Sequence, residues 1–562
     1  MSFFFVILAL ILTLGLTWRY LGSYMEAVFN GRVHWLGFVE RPIYRMLGTS
    51  PEQEQTWKRY AGAMIVFSFV SLVFTYVILR IQGSLPLNPQ KLGSVGPALS
   101  FNTSASFLTN TNWQNYGGET TMSYFSQIGA LTVQQFVSPA VGIAVAIAMV
   151  RGFARRKSPT IGNFWVDITR CMFYILLPIA FVFGIIFVGE GAVETLAGTA
   201  TFHDVLNGVT QTMARGPIGF MESIKQLGTN GGGFLNANSA TPFENPTGLT
   251  NFLSIYLLLA IPFALTYTFG KMVGSVKHGA TLLAAMVLLF GIWVGFTSYG
   301  EHQNNPAVAK AGITATVGNT EGKEVRFGDT QTALFGVAST NTSTGSADAS
   351  YDSFNPLGDL GLLTGMMMGE VTPGGTGSGL YTILIYAIIA VFIGGLMIGR
   401  TPEYLGKKIQ AKEVKLAGLG SLVMPLIVLI ITGIAVSTVE GRAGPLNRGP
   451  HGFSEILYAI TSQGNNNGSA MGGLTGNTAF YNIVGAIDML IGRFGIIIPA
   501  LALGGVLAEK DVVPESLGTF RTDNGMFVGL TVGVILIIGG LTFFPAVALG
   551  PVVEQLTHLR FF

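Results

Sequence analysis

Four polar, glycine-containing segments recur along the chain and carry the residue types best suited to hold a bare cation. Each segment ends in a triplet, and the four triplets are Asn112-Trp113-Gln114, Thr229-Asn230-Gly231, Ser343-Thr344-Gly345 and Asn466-Asn467-Gly468. Their last members lie 117, 114 and 123 residues apart. This regular recurrence predicts an internal fourfold pseudo-repeat around one axis, and therefore one pore.

The triplets could form a ring in which backbone carbonyl oxygens replace the water shell of K⁺. Glycine in the last place, at Gly231, Gly345 and Gly468, permits left-handed or strained backbone that other residues resist. The first members of the triplets add amide or hydroxyl oxygens at one level. Gln114 stands where the other three triplets have glycine, so we expect an asymmetric filter with one tight ion position.

Each triplet follows a short run of residues with a helix-start signal. Those signals are Pro97, Pro217, Asp329 and Ser454. About 12 helical residues reach roughly 18 Å, about half of a bilayer, so the four runs are predicted to enter the membrane and return as re-entrant pore loops. Their C-terminal ends would direct partial negative charge at a cation. One such loop alone is more typical of a polar turn with a glycine cap, and the fourfold recurrence is what favours a pore.

The composition predicts an integral membrane protein. The chain has 562 residues, of which 49% are hydrophobic and 11% charged, and its mean hydropathy is +0.53. An ordinary soluble domain has about 25% charged residues. The net charge of +2 is too small for nucleic-acid binding. A single cysteine, Cys171, excludes a disulfide framework and a thiolate metal site.

Ten runs of about 20 mostly apolar residues predict an all-α fold with ten membrane helices. They lie near 3–20, 61–81, 128–150, 164–188, 250–270, 280–299, 380–398, 416–437, 480–506 and 527–549. The first run has no basic residues before it and no cleavage pattern after it, so we expect a retained span. With the N-terminus outside, 19 Lys and Arg residues fall in inner loops and 9 in outer loops, which favours both termini outside.

The spans and triplets together divide the chain into four pore repeats between a first and a last segment. The predicted units are 1–60 (first span and inner loop), 61–157 (repeat 1), 158–277 (repeat 2), 278–415 (repeat 3), 416–510 (repeat 4) and 511–562 (last span). Repeat 3 contains five glycines and Pro373 within the stretch from Gly369 to Gly379. This density predicts a helix that is broken within the membrane beneath the third triplet, and this break is our candidate gate.

Two charged residues are predicted to lie on the ion path below the filter. Glu370, in the broken stretch, would either attract a cation that leaves the filter or pair with a neighbouring base. Arg493 lies in the middle of span 9, where a charge costs roughly 2.5–3.5 kcal/mol and must face protein or water. It would either form an electrostatic barrier on the inner side of the filter or make an ion pair with Asp488 or Glu370.

The sequence contains neither a Gly-x-x-x-x-Gly-Lys-[Ser/Thr] phosphate loop nor an Asp-Lys-Thr-Gly-Thr phosphorylation string. We therefore expect no catalytic residues, no direct ATP binding and no covalent cofactor, with K⁺ as the transported ligand. Three hypotheses follow: a subunit of a potassium pump, a free-standing K⁺ channel or ion-coupled secondary transporter, and a membrane scaffold that binds no ion.

Several long strings resemble the potassium-binding A subunit of the bacterial Kdp-type potassium-transporting ATPase. They are Thr109-Asn-Thr-Asn-Trp-Gln114, Gln226-Leu-Gly-Thr-Asn-Gly-Gly-Gly-Phe234, Asn236-Ala-Asn-Ser239, Pro242-Phe-Glu-Asn-Pro246, Met397-Ile-Gly-Arg-Thr-Pro-Glu-Tyr-Leu-Gly-Lys-Lys408 and Asn465-Asn-Asn-Gly-Ser-Ala470. The strings are distributed along essentially the whole chain, which makes the resemblance specific.

The resemblance implies a fold of the K⁺-channel-like superfamily of K⁺ transporters, with four span-loop-span units and extra first and last helices. It implies K⁺ binding at the residues of the four triplets, and a location in the bacterial inner membrane. It also implies partners, namely a P-type ATPase B subunit, a C subunit and a small single-span F subunit, to which K⁺ would pass sideways. The pump subunit is therefore the favoured hypothesis.

Overall fold

The computed structural model of the chain describes residues 3–313, 318–514 and 520–557. Within these residues ten helices are long and apolar enough to cross a membrane, and in chain order we name them spans 1 to 10. They are Phe3–Phe29, Trp57–Ser84, Tyr124–Ala154, Phe164–Gly189, Gly248–Met272, Val276–His302, Ser378–Met397, Ala411–Ser437, Ala479–Glu509 and Gly525–Thr557. The prediction of ten spans is confirmed. The chain ends, 1–2 and 558–562, lie outside the described residues.

Four shorter helices, named half-helices 1 to 4, lie between spans 2 and 3, 4 and 5, 6 and 7, and 8 and 9. They are Pro97–Leu108, Gly219–Leu227, Gly328–Thr340 and Gly449–Gly464. Pro97 opens its helix as predicted. The other three starts differ from the predicted signals, because Pro217 precedes its helix, Asp329 lies within the first turn, and Ser454 lies inside a helix that begins with a glycine and a proline.

The remaining elements are short and connect the spans. The helices are Gly37–Met46, Gly118–Thr121, Pro306–Lys310, Pro356–Met367 and Val439–Arg442, with single turns at Asn238–Ala240 and Tyr351–Ser353. Two small antiparallel hairpins pair Ala200–His203 with Thr210–Met213 and Glu403–Tyr404 with Lys407–Lys408. The predicted all-α class is therefore confirmed for the membrane helices, and the two hairpins lie in the connections between them.

Burial of the spans follows the predicted repeat. The span after each half-helix is an inner helix, since spans 3, 5, 7 and 9 are 94%, 78%, 72% and 67% buried over their most apolar stretch. The span before each half-helix is an outer helix, with 33%, 39%, 39% and 44% buried for spans 2, 4, 6 and 8. Inner and outer helices thus alternate four times, and the four half-helices project between them.

Lys407 joins the C-terminal ends of two inner helices, spans 3 and 9, that belong to different repeats. Its buried Nζ donates to the carbonyl oxygens of Gly152 at 2.8 Å and Leu507 at 2.6 Å, and also to that of Arg155. These carbonyls end spans 3 and 9, where a helix leaves its last acceptors unpaired and carries partial negative charge. The side chain is therefore a shared cap of two helices rather than the surface anchor typical of inner loops.

Lys407→Met is expected to lower the thermal stability of the protein, because three carbonyl acceptors lose a charged donor. Hydrogen bonds to charged groups contribute about 1.5–3 kcal/mol each, so the melting midpoint of the purified protein should fall by several degrees. Lys408→Met is the matched control, since the neighbouring Lys408 side chain is exposed. Equal midpoints for the two variants would contradict the capping role.

Candidate functional site

Each half-helix is closed by the same two features. A residue just beyond its last turn has a left-handed backbone: Asn110 (φ 68°), Thr229 (φ 50°), Ser343 (φ 56°) and Asn466 (φ 58°). The next residue then donates its N–H to the carbonyl five residues back, as in Thr111 to Ser106 (3.0 Å), Asn230 to Lys225 (2.9 Å), Thr344 to Ser339 (3.0 Å) and Asn467 to Ser462 (2.8 Å). These equivalences define loops 1 to 4 as 109–114, 228–233, 342–347 and 465–470.

This register corrects the sequence alignment of the first loop by two residues. The first triplet that matches the other three is Asn110-Thr111-Asn112, so the residue in the glycine position is Asn112 and not Gln114. Asn112 has a φ of 56°, and asparagine is the residue other than glycine that adopts left-handed backbone most readily. The prediction that Gln114 replaces glycine was wrong because the triplets were aligned on their ends without the helix closures.

The glycines of the third position allow adjacent loops to touch. A Cβ on Gly231 would lie 2.2 Å from the backbone N of Gly345, and a Cβ on Gly345 would lie 2.8 Å from the backbone C of Gly468. A Cβ on Gly468 would lie 1.8 Å from the carbonyl oxygen of Thr111. Loop 2 therefore contacts loop 3, loop 3 contacts loop 4 and loop 4 contacts loop 1, as in a ring.

Gln114 closes the remaining side of the ring, between loops 1 and 2. Its side-chain amide donates to the carbonyl oxygen of Gly233 at 3.0 Å and accepts from the N–H of the same residue at 3.1 Å. In the corrected register Gln114 and Gly233 are equivalent positions, so this pair joins the same level of the two loops. The neighbouring Trp113 is buried and donates its ring N–H to Asn115 at 2.6 Å.

Loops 1 and 3 of the ring resemble each other, and so do loops 2 and 4, but adjacent loops differ. In loops 1 and 3 the hydroxyls of two threonines pair, Thr109 with Thr111 at 2.7 Å and Thr342 with Thr344 at 2.9 Å. Loops 2 and 4 instead have asparagine in the second position, and Asn230 donates to the side chain of Asn110 at 2.6 Å. The predicted asymmetry is thus present, although its basis differs from the predicted one.

Several buried oxygens of the ring have no partner within the described residues. Within the described residues no donor reaches the carbonyl oxygens of Asn110, Asn112, Ser343, Gly345, Asn466 and Gly468, and all of these residues are buried except Gly345, which is half-buried. The side chains of Asn112 and Ser343 are 2% and 3% exposed and are unpaired as well. Buried carbonyls in proteins are almost always paired, so a ring of unpaired ones is suited to coordinate a dehydrated cation.

Side chains of the ring that were predicted as further oxygen ligands are partly engaged in the structure. The hydroxyl of Thr229 accepts the N–H of Thr376 at 3.0 Å. The amide of Asn466 donates to Thr111 at 3.1 Å and to the carbonyl oxygen of Met489 at 2.8 Å. These two side chains hold the ring together, whereas Asn112 and Ser343 keep free polar atoms among the described residues.

Loop 2 is braced by a buried charge cluster that the sequence reasoning missed. Lys225 in half-helix 2 is fully buried and its Nζ lies 2.5 Å from both Glu222 and Glu244. It also donates to Asn238 at 2.7 Å, and the amide of Asn238 donates to the carbonyl oxygen of Gly231 at 2.8 Å. A glutamate and a lysine three residues apart in a helix predicted at membrane depth were the available signal.

The predicted helix break is present between Pro356–Met367 and span 7, and we name residues 368–377 the break loop. It lies against loops 2 and 4 and against Asn341, the residue just before loop 3. The N–H of Gly374 donates to the carbonyl oxygen of Asn341 at 2.8 Å, and the hydroxyl of Thr376 donates to that of Gly228 at 3.0 Å. The carboxylate of Glu370 accepts from Asn467 at 3.2 Å.

Arg493 is buried in span 9 and donates to the carbonyl oxygen of Ser138 in span 3 at 3.2 Å. Among the described residues it has no ion pair within 4.0 Å with either Asp488 or Glu370. It also lies close to the break loop, since a Cβ on Gly142 would touch both Arg493 and the carbonyl oxygen of Thr376, at 3.2 Å and 2.6 Å. A positive charge is thus held beside the break loop.

A cavity of about 610 Å³ opens onto the ring, and none of the described residues that line it belongs to the break loop. Its walls include Asn112, Gln114, Gly345 and Gly468, together with Trp113. Among the described residues that line it, Glu455 is the single Asp, Glu, Lys or Arg. The ring therefore lies at the base of an almost uncharged vestibule.

Comparison with known proteins identifies the family. A family profile described as "Potassium-transporting ATPase A subunit" matches residues 6–556. A potassium-transporting ATPase potassium-binding subunit of Methylobacterium nodulans is 54% identical over 95% of this chain and 94% of its own length. Proteins of the same name from Granulibacter bethesdensis and Mesorhizobium japonicum are 53% and 52% identical, over 96% and 97% of both chains.

The solved structure of the potassium transporter TrkH from Vibrio parahaemolyticus is similar with a TM-score of 0.49 and 14% identity, over 86% of this chain and 96% of that one. The family assignment rests on the profile and the relatives, which match nearly the whole length. The chain belongs to the family of the potassium-transporting ATPase A subunit, the potassium-binding subunit of that pump.

Proposed function

We propose that the chain takes up extracellular K⁺ in the ring formed by loops 1 to 4 and passes it to a separate ATPase subunit. The observation that carries this proposal is the set of six ring carbonyls, five of them on buried residues, that no donor reaches within the described residues. Such oxygens can replace the hydration shell of K⁺ without any full negative charge. The family's name supplies the ion and the link to ATP.

The ion would be held at two adjacent levels of the ring. The upper ligands come from the third positions, Asn112, Gly345 and Gly468, and the lower ones from the first positions, Asn110, Ser343 and Asn466. Loop 2 contributes less, because the carbonyl oxygens of Thr229 and Gly231 already accept side-chain amides. An unequal ring favours one tight site over a queue of equivalent ones, which suits a scavenging pump better than a fast channel.

The break loop is the proposed gate on the inner side of the ring. It hydrogen-bonds to loop 2 and, just before loop 3, to Asn341, and Glu370 accepts a hydrogen bond from loop 4. Glu370 would attract the ion as it leaves the ring, and the nearby Arg493 would oppose its direct passage to the inner side. Gly369, in left-handed backbone at φ 83°, and Pro373 set the path of this loop.

The energy for transport would come from partners. The sequence has no nucleotide-binding motif, so hydrolysis is assigned to a P-type ATPase B subunit, with a C subunit and a small F subunit completing the complex. The excess of Lys and Arg in one set of loops supports an orientation with both termini outside the bacterial inner membrane and the spans in lipid. The four half-helices would then re-enter the membrane from outside.

Soaking the complex with Rb⁺ or Tl⁺ is expected to give an anomalous peak within the ring, between Asn110, Asn112, Ser343 and Asn466. Both ions imitate K⁺ in size and charge, and the unpaired carbonyls fix where they would bind. Data collected with Na⁺ alone serve as the control. Peaks elsewhere with an empty ring would refute the site.

Gly468→Ala is expected to weaken the apparent K⁺ affinity of ATP hydrolysis by the assembled complex by about tenfold or more. The new Cβ would lie 1.8 Å from the carbonyl oxygen of Thr111, and the residue has a φ of 95° that alanine resists. Gly96→Ala is the control, because a Cβ on Gly96 would meet no atom within 4 Å. If both variants keep the wild-type affinity, the ring does not set it.

Reconstitution separates the pump subunit from a free-standing channel or secondary transporter. Liposomes that contain this chain without its partners are expected to show no sustained uptake of radioactive Rb⁺, because one tight site releases its ion slowly. Liposomes with the full complex and ATP serve as the positive control. Sustained uptake by the chain alone would favour the channel or the secondary transporter.

A further inference from the structure

A second group of ligand-type side chains lies beside the vestibule and plays no part in the ring. Asp352 lies in the turn Tyr351–Ser353, and His451 and Glu455 lie four residues apart on half-helix 4. One ligand atom of each lies within 4.8 Å of the others. Residues four apart share a helix face, so the imidazole and the Glu455 carboxylate point the same way.

We propose that Asp352, His451 and Glu455 form a binding site for a divalent metal ion of the Zn²⁺ class at the outer entrance to the ring. One imidazole nitrogen and two carboxylate oxygens are a ligand set that Zn²⁺ accepts, with a remaining position open for water. The Nε2 of His451 lies 3.0 Å from the Oδ1 of Asp352, which is close to the separation of two ligands on one small ion.

Glu554 holds the imidazole in the orientation that this site requires. The Oε1 of Glu554 lies 3.1 Å from the Nδ1 of His451, which is the imidazole nitrogen on the other side from Asp352. A carboxylate on the second ring nitrogen is the usual support of a metal-binding histidine, because it fixes the tautomer and directs the other nitrogen to the ion. Glu554 is therefore a positioning residue for the site.

Gly473 shows that the two carboxylate ligands converge. A Cβ at this position would lie 2.0 Å from the Oε1 of Glu455 and 2.5 Å from the Oδ1 of Asp352. Asn447 fixes Glu455 by donating to its Oε1 at 2.8 Å. Both carboxylate oxygens therefore lie against the backbone of Gly473. The hydrogen bond from Asn447 further restricts the position of Glu455.

The charges around His451 favour a divalent cation over a simple ion pair. Asp352 lies on the Nε2 and Glu554 on the Nδ1 of His451, and Glu455 lies within 4.8 Å of Asp352 and His451, so three acidic side chains surround one imidazole and acidic groups are in excess. A bound ion of charge +2 would offset this excess.

The position of the site predicts its effect on transport. Glu455 lines the vestibule through which an ion reaches Gly345 and Gly468. A bound divalent ion would remove the negative charge of that wall and repel K⁺, because like charges interact strongly where water is restricted. External Zn²⁺ should therefore raise the K⁺ concentration needed for half-maximal ATP hydrolysis.

The test uses the full complex, stripped of metal with a chelator and titrated with ZnCl₂ in the absence of K⁺. We expect one Zn²⁺ site whose dissociation constant rises at least tenfold in Asp352→Asn and in His451→Gln. Glu554→Gln should raise it by about tenfold as well, as is usual for the partner of a metal-bound histidine. The Asp352 variant alone decides the matter if the His451 variant fails to assemble, since Asp352 is partly exposed.

His302→Gln is the matched control, because His302 lies 3.1 Å from Asp329 in an exposed pair that belongs to no ligand cluster among the described residues. Its Zn²⁺ binding should equal that of the unaltered complex. The proposal is overturned if Asp352→Asn binds as much Zn²⁺ as tightly as the unaltered complex, or if Ca²⁺ or Mg²⁺ competes equally well with Zn²⁺. Binding is measured without K⁺, so either result leaves the proposed K⁺ ring untouched.

Discussion

Buried carbonyl oxygens without a donor are the constraint on which the arrangement of the four loops depends. A buried polar group left without a partner costs about 1–3 kcal/mol, so the ring must be held open by contacts made elsewhere. Backbone N–H groups provide part of these contacts, since the second residue of each triplet donates back to its own half-helix. The left-handed residue before it makes this possible by ending the helix at that point.

Close approach of the loops explains the third-position glycines better than backbone angles alone. Gly345 has no positive φ, unlike Gly231 at 90° and Gly468 at 95°. Its Cβ would nevertheless lie 2.8 Å from the backbone of Gly468, so a side chain there would force adjacent loops apart. Loop 1 accommodates Asn112 in this position, and Gln114 then supplies by hydrogen bonds the contact with loop 2.

Much of the architecture could be predicted from the sequence because it depends on local signals. Runs of about 20 apolar residues located all ten spans, and the five glycines between 369 and 379 located the break. The predicted register of loop 1 was wrong because the four triplets were aligned on their last residues, three of which are glycines. The string Thr109-Asn-Thr-Asn112 matches Thr342-Ser-Thr-Gly345 directly, and the paired threonines would have given the correct alignment.

Features that depend on contacts between distant segments could not be predicted. The cap that Lys407 forms joins residues 100 and 255 positions away in two helices, and Asp352 meets His451 across 99 residues. Lys225 was visible beside Glu222, but its second carboxylate comes from Glu244 on the far side of loop 2. No periodicity encodes such pairings, since each is decided by how the repeats pack.

The break loop, which is the proposed gate, is joined to the ring by several hydrogen bonds. Thr376 bonds to Thr229 and Gly228, Gly374 bonds to Asn341, and Glu370 bonds to Asn467. Any movement of the break loop has to break these bonds and so changes the support of the ring. Linkage is reciprocal, so an ion that stabilises the ring in its bonded form must also stabilise the break loop in its present position. In the proposed mechanism, a partner that moves the break loop would therefore also weaken the hold of the ring on its ion.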